Sequence, residues 1–250
     1  MSSVIGYAPF GLGLLAMTAL TLGLGRWAGL RLGWFPLWAV LRAVVQLTAV
    51  ALLLRGILAV PWTVALFIVL MVTTASWTAA DRLQDVWHGR RTALLGVLAG
   101  ASVTLVVIFG LRLVDVEVRY LVAVAGIIIG NSMTAATLAG RNFLRGARAR
   151  RDEVEAWLSL GASPVQAHQE IGREAAREAL LPTLDQTKST GLVTLPGAFV
   201  GALFGGASPA VAAQFQLVVL VGIALTMTLT GIVVTRLAGR SPYLVVTADH

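Results

Sequence analysis

The chain has 250 residues, 57% of them hydrophobic and only 12% charged, where an ordinary soluble domain carries about 25% charged residues. Its mean hydropathy of +0.83 implies more apolar surface than a water-soluble fold of this size can hide, so lipid is expected to be the solvent for much of it. Cysteine is absent, which excludes disulfides, thiolate metal sites and a cysteine nucleophile, and the net charge of +7 is spread between hydrophobic runs rather than gathered on one basic domain, which argues against nucleic acid.

About seven stretches suit helices that cross a bilayer, which takes roughly 17–25 residues each. They are Val4–Leu24, Trp34–Leu54, Leu58–Thr78, Thr92–Leu113, Tyr120–Leu138, Ser189–Phe204 and Ala210–Leu237. Helix is the expected state because hydrocarbon leaves no backbone group unpaired and barrel-like alternation is missing. The fold class is therefore all-α, a polytopic membrane helical bundle of about seven transmembrane helices, forming one domain over residues 1–250.

Met1-Ser2-Ser3 carries no Lys or Arg. The apolar run after it exceeds the about 7–15 residues of a signal core, so the first stretch reads as a span rather than a cleaved leader. The second stretch contains Arg42, with Gln46 one turn further on the same face. A charge inside a bilayer costs roughly 2.5–3.5 kcal/mol on insertion scales. Arg42 and Gln46 are thus expected to face other helices or a wet cavity, either as a clamp, with Asn131 as a partner, or as part of a substrate path. In the fifth stretch Asn131, Ser132, Met133 and Thr134 read either as interhelical hydrogen-bonding groups or as pathway lining.

Between the fifth and sixth stretches, residues 141–188 form the one long polar segment. It opens with the basic run Arg145, Arg148, Arg150 and Arg151, suited to anionic headgroups. Asp152-Glu-Val-Glu155-Ala-Trp-Leu-Ser-Leu-Gly161 then predicts a short helix, its acids at the positive end of the helix dipole and Gly161 as its C-terminal break. Ser163-Pro164-Val-Gln166 restarts a helix with Ser as N-cap, Pro at the first position and Gln as capping-box partner. This second helix is expected to stop before Pro182, with an apolar stripe of Val165, Ile171, Ala175 and Ala179 opposite a charged face. Alone, it reads as an amphipathic helix at the membrane interface.

The sixth stretch is short and contains Pro196 followed by Gly197, so a broken or re-entrant helix is an alternative to a simple span. Gly197, Gly201 and Gly205 recur every four residues, a ridge that permits close helix packing within the chain or between two copies. All acidic residues lie outside the seven stretches, and His88, His168 and His250 show no metal-ligand spacing, so no metal site is expected.

With seven spans, one side of the membrane receives most Arg and Lys residues, from Arg26 and Arg31 through Arg82, Arg90, Arg91 and the 141–188 segment to Arg236 and Arg240, while the other receives Arg55, Arg112 and Arg119. The positive-inside rule then predicts an inner-membrane protein with its N-terminus outside and its C-terminus cytoplasmic.

The helix–glycine–helix element resembles the coupling motif of ABC permeases: Glu155, Ala156, Leu160, Gly161, Ala162, Ser163, Pro164 and, further on, Pro182 match its pattern. Leu41-Arg42-Ala-Val-Val-Gln46-Leu47, Gly130-Asn131-Ser-Met133 and Gly191-Leu-Val-Thr-Leu-Pro196-Gly197 are similar to stretches of the FetB-like permease family, the membrane half of two-component iron exporters with plant relatives linked to aluminium tolerance. Ala198, Phe199 and Ala202 stand where that family commonly has Met, Met and Gln. The resemblance implies a permease that exports a metal ion such as iron; Arg42, Gln46, Asn131, Ser132, Met133, Thr134, Pro196 and Gly197 are the residues expected either along its substrate pathway or in a network that holds its helices together. It implies a homodimer of permease subunits in the lipid bilayer, coupled to a cytosolic ABC ATPase. No P-loop pattern occurs in the chain, so it is expected to bind no cofactor and not to be an enzyme, with ATP and Mg on the partner ATPase. The competing readings are a free-standing secondary transporter or an ABC permease for a non-metal substrate.

Overall fold

The computed structural model describes residues 2–31, 33–57 and 62–242. The chain divides into two compact units, residues 1–61 and 62–250. The first holds α1 (Ser2–Trp27) and α2 (Phe35–Ile57). Between them the backbone turns through Gly29 and Gly33, both at positive φ, and the Arg26 guanidinium lies over the Trp34 ring, 5.2 Å from its centre.

The second unit contains α3 (Thr63–Arg82), α4 (Gly89–Gly110), α5 (Val118–Ala149), the short α6 (Arg151–Ser159) and α7 (Pro164–Ala167), then α8 (Gln169–Ser189), α9 (Gly197–Phe204) and α10 (Pro209–Ala238). Among the described residues, six helices (α1 to α5 and α10) are long and apolar enough to cross a membrane. The predicted third span began at Leu58, but residues 58–61 lie outside the described residues.

Helix α10 is the hub. Its inward face is built from small and hydroxylated residues, which let neighbouring backbones approach closely where apolar side chains gain nothing by leaving lipid. Gly96 of α4 packs on Thr230 and Val234, Gly100 packs on Thr226 and Thr230, and Gly222 receives the Ile108 and Ile128 side chains. Two buried hydrogen bonds cross these contacts. Thr230 Oγ1 donates to the Gly96 carbonyl at 3.1 Å, and the Ser132 and Thr226 hydroxyls pair at 3.0 Å. On the other side of α5, Gly140 makes room for Leu83 at the end of α3.

These contacts set the helix directions. The end of α3, the start of α4, the end of α5, the start of α8 and the end of α10 share one end of the unit, and that end carries Arg82, Arg90, Arg91, Arg141, Arg145, Arg148, Arg173 and Arg236. Arg112 and Arg119 sit at the opposite end, beside Asp115 and Glu117.

Three expectations need correction. The predicted fifth span ended at Leu138, whereas α5 continues to Ala149, so its last three turns project beyond the apolar section and bear the arginines. The second helix of the polar segment does not stop at Pro182; α8 runs through it to Ser189. The carbonyl that Pro182 leaves unpaired is tolerable because α8 is held sideways against α5 and α10.

The predicted sixth span, Ser189–Phe204, is not one continuous helix but is broken, the alternative that Pro196 and Gly197 offered. Ser189 ends α8, residues 190–196 form a tight non-helical link, and α9 has eight residues. Tertiary contacts show what this segment does instead. Gly172 packs on Thr235 and Ala176 on Gly231, the Thr183 hydroxyl contacts Met227 Sδ at 3.1 Å, and the Phe199 amide donates to Gln216 at 3.0 Å. The chain thus follows α10 from Thr235 to Gln216, about 28 Å at about 1.5 Å per residue, close to the hydrocarbon thickness of about 30 Å. Helices α8 and α9, broken at residues 190–196, run alongside α10 for most of its length.

The α4–α10 contact yields a stability test. A Cβ at Gly100 would overlap the Thr230 hydroxyl and lie 2.7 Å from the Thr226 carbonyl oxygen, which is backbone and cannot yield. Gly100→Val should lose about 1–3 kcal/mol or more from overpacking, seen as a lowered melting temperature in detergent, whereas Gly110→Ala, with nothing within 4 Å, should melt like the parent. Equal melting of both variants would refute the packing described.

Candidate functional site

At the arginine-rich end, α6 and α7 form the element singled out by the sequence. Val154, almost fully buried, anchors α6 in a cluster with Leu144, Ala147, Ala167 and Ile171. The turn that follows closes in two ways. Gly161 adopts φ +87°; its amide donates to the Leu158 carbonyl and the Ala162 amide to the Trp157 carbonyl, both at 3.0 Å. That is the double bond of a Schellman motif, which needs a left-handed residue at the Gly161 position. Ser163 and Gln166 then form the reciprocal capping box, with the Ser163 amide donating to Gln166 Oε1 at 2.9 Å and Pro164 at the first position of α7. His168 fastens the far side: it is buried, its Nδ1 lies 2.8 Å from the Pro164 carbonyl oxygen, and its ring stacks near Phe143.

A turn locked on both sides projects what lies outside it. Leu160 is 83% exposed and Trp157 and Val165 are about half exposed, forming an apolar tip on an otherwise charged surface. Beside them a groove of about 700 Å³ is lined by Glu153, Gln166, Gln169, Glu170 and Arg173, among others. Glu155 and Ala156 are exposed on the α6 surface, while Ala162 and Pro164 are half-buried within the turn. The basic run is divided: Arg148 reaches Asp85 at 3.5 Å, and Arg150 pairs with Glu174, tying the element to α8.

The polar residues expected inside the membrane separate into two groups. Arg42 and Gln46 lie on α2 in the first unit, one turn apart and both exposed. Asn131, Ser132, Met133 and Thr134 lie on α5, which runs through them without interruption and therefore points them in different directions. The Asn131 side-chain amide donates to the Ile127 carbonyl at 2.8 Å, and Thr134 bonds back to Gly130. Ser132 alone of the four reaches another helix among the bonds described, through Thr226. Met133 is half-buried against the core.

The link of residues 190–196 satisfies much of its own backbone. Gly191 is at φ +93° and its amide donates to the Thr194 carbonyl at 2.9 Å, while the Val193 and Thr194 amides return to Ser189. Pro196 is the N-cap of α9 and Gly197 its first residue. The free amides of a helix start are costly in lipid, and Gln216, 5% exposed on α10, supplies the acceptor to Phe199. A Cβ at Gly197 or Gly201 would meet nothing within 4 Å, and one at Gly205 would meet its own helix. The close-packing glycines of this unit are instead Gly96, Gly100, Gly140 and Gly222.

Sequence reasoning missed Gln216, Thr226 and Thr230. A lone glutamine within the apolar run of α10 was the available signal. Asp185 lies on α8, outside the helices long and apolar enough to cross a membrane, two residues beyond the Thr183–Met227 contact.

The model of UPF0014, described as an uncharacterised protein family, matches residues 11–243. The chain belongs to UPF0014. Among the relatives of this UPF0014 chain is the rice (Oryza sativa subsp. japonica) UPF0014 membrane protein STAR2, 37% identical over 187 residues, which are 74% of this chain and 65% of the rice protein. The Arabidopsis thaliana protein named ALUMINUM SENSITIVE 3 is 34% identical over 74% of this chain and 68% of its own length. The Escherichia coli K12 protein named Probable iron export permease protein FetB is 33% identical over 209 residues, 83% of this chain and 81% of its own. No solved structure matches. The family and the apolar helices agree on a multi-pass membrane protein.

The Gly161 turn gives a local prediction. A left-handed backbone costs a residue with a Cβ roughly 1–2 kcal/mol, so Gly161→Val should open the turn and speed hydrogen exchange of the Ala162 amide by about tenfold, while Gly161→Asn, which tolerates this conformation, should exchange nearly as the parent. Unchanged exchange in Gly161→Val would show that the turn is not held as described.

Proposed function

We propose that this UPF0014 protein is the membrane-spanning permease subunit of an ABC transporter. The observation that carries the reading is the α6–Gly161–α7 element, which holds Trp157, Leu160 and Val165 out from the arginine-rich end on a turn closed by a Schellman motif and a capping box. An exposed apolar tip on a rigid mount is what docking into a partner's groove requires. The same element is joined through Arg150–Glu174 and α7 to α8, so movement of a docked ATPase would be delivered to the broken crossing. ATP and Mg belong to that cytosolic partner. The positive charge of this end makes it the cytoplasmic side of the inner membrane, with seven crossings placing the N-terminus outside and the C-terminus inside.

Two copies of the permease enclose the pathway in this reading. The open ridge of Gly197, Gly201 and Gly205, unused within the described residues, is offered as a contact between them. Export of a metal ion such as iron is the cargo favoured by the name of the Escherichia coli relative. One observation favours a second reading: Asp185 is an exposed carboxylate on the helix packed along α10, a group that a free-standing secondary transporter would use for ion coupling.

Co-purification separates the two. The tagged permease should bring down a Walker-motif ATPase, and Leu160→Glu, at a side chain 83% exposed, should fold normally but reduce that association by tenfold or more, as loss of a docking anchor of about 2 kcal/mol does. Full association and transport by Leu160→Glu would remove the coupling role from this element.

A further inference from the structure

Close packing at the end of α3 gathers arginines that the sequence scatters. Leu83, fully buried, fits against Gly140 of α5, where any side chain would collide with it. Arg82 and Arg141 are the neighbours of these two residues, so the fit brings them to one place. Arg145 and Arg148 follow Arg141 by four and seven residues, on the same face of α5. The four arginines line a single pocket of about 650 Å³ together with Asp85 and the buried Leu144.

Charge in this pocket is unbalanced. Asp85 is the one acidic residue of the described lining, and Arg148 already reaches it at 3.5 Å. Asp81, one residue before Arg82, accepts from Gln84 instead. Among the described residues, the side chains of Arg82, Arg141 and Arg145 make no ion pair or hydrogen bond. Guanidinium groups do not shed their protons in water, so their mutual repulsion cannot be relieved that way. A bound anion does relieve it, and the guanidinium fork matches pairs of phosphate oxygens.

The place of the pocket says which anions reach it. Residues 120–140 of α5 include no charged side chain, and Arg141 is the first after them. Hydrocarbon therefore gives way to headgroups at about the level of Arg141. Arg148 lies about 10 Å further along at about 1.5 Å per residue, and a headgroup layer is about 5–8 Å deep. Basic pockets between membrane helices at this level take anionic lipid headgroups. We propose that Arg82, Arg141 and Arg145, with Arg148 at the outer rim, form a binding site for a phosphate group. Its position in the headgroup layer favours an anionic phospholipid as the source. The site shares no lining residue with the groove beside the Leu160 tip, and it does not depend on an ATPase.

The full-length protein, purified in detergent and freed of lipid, is titrated with phosphatidylglycerol or with phosphatidylcholine of the same acyl chains. The second lipid has the same phosphate but adds a choline cation that the arginines repel. Bound lipid is counted by native mass spectrometry. In a second arm, melting is followed in inorganic phosphate and in chloride of equal ionic strength. Phosphatidylglycerol should bind about tenfold tighter or more, and Arg82→Gln or Arg141→Gln should each remove about tenfold of that affinity, as loss of one charge-assisted hydrogen bond does. Arg91→Gln, an equal loss of charge at the same end but outside the pocket, should bind like the parent. Without ligand, Arg141→Gln should melt at or above the parent because repulsion is relieved. A lower melting temperature would make Arg141 a structural residue and overturn the site. Stabilisation by inorganic phosphate that Arg141→Gln loses, with no lipid preference, keeps the site and assigns it to a free ion. Equal weakening by Arg91→Gln would show general attraction to a basic surface and overturn the site, as would the absence of both lipid preference and phosphate stabilisation.

Discussion

Everything in the second unit depends on how α10 satisfies polar backbone in a solvent that offers no hydrogen bonds. The helix is apolar enough to cross a membrane by length and composition, yet its buried face carries three threonines, two glycines and one glutamine among its apolar residues. Thr226 and Thr230 bind α5 and α4 by hydrogen bonds, Gly222 and Gly231 admit the side chains of α4, α5 and α8, and Gln216 accepts from the first turn of α9. Hydrocarbon would make each of those polar groups expensive if left alone. Paired, they fix the neighbours in register and allow one neighbour, the α8–α9 segment, to be broken without exposing its ends.

That broken segment joins the two regions of functional interest. Its first half begins at the locked turn around Gly161 and His168, and its second half ends at a helix start pinned by Gln216. Between them lie Asp185, Lys188 and the link through Gly191. The Leu160 tip is connected to α8 through α7 and the Arg150–Glu174 pair, and α8 is separated from α9 by the non-helical link at residues 190–196; under the proposed function this is the route by which a docked ATPase would act on the segment.

Local signals were the legible part of the sequence. The apolar lengths of α1 to α5 and α10 follow from composition, and the turn at Gly161 and the capping box at Ser163–Gln166 follow from chemistry contained within a few residues. Tertiary contacts decided the rest. Pro182 looked like a helix end, but packing on α10 carries α8 past it. The glycine repeat at 197, 201 and 205 was read as a packing ridge, while Gly96 and Gly100, at the same four-residue spacing in α4, went unread and, with Gly222, are positions of close helix approach within the chain. Asp185 and Lys188 were read as part of the polar segment because the helix bearing them is too hydrophilic to read as a span; its packing along α10 through Met227 and Thr235 was not legible in the sequence.

The central claim is that α8 and α9 form one crossing, which puts the starts of α8 and α10 on opposite sides of the membrane. Single-cysteine labelling of intact cells with an impermeant thiol reagent measures this directly, using the exposed positions Ser159 and Ala210. The account predicts that Ala210→Cys reacts from outside and that Ser159→Cys reacts only after permeabilisation. Reaction of both from the same side would make the segment a re-entrant loop and contradict the account.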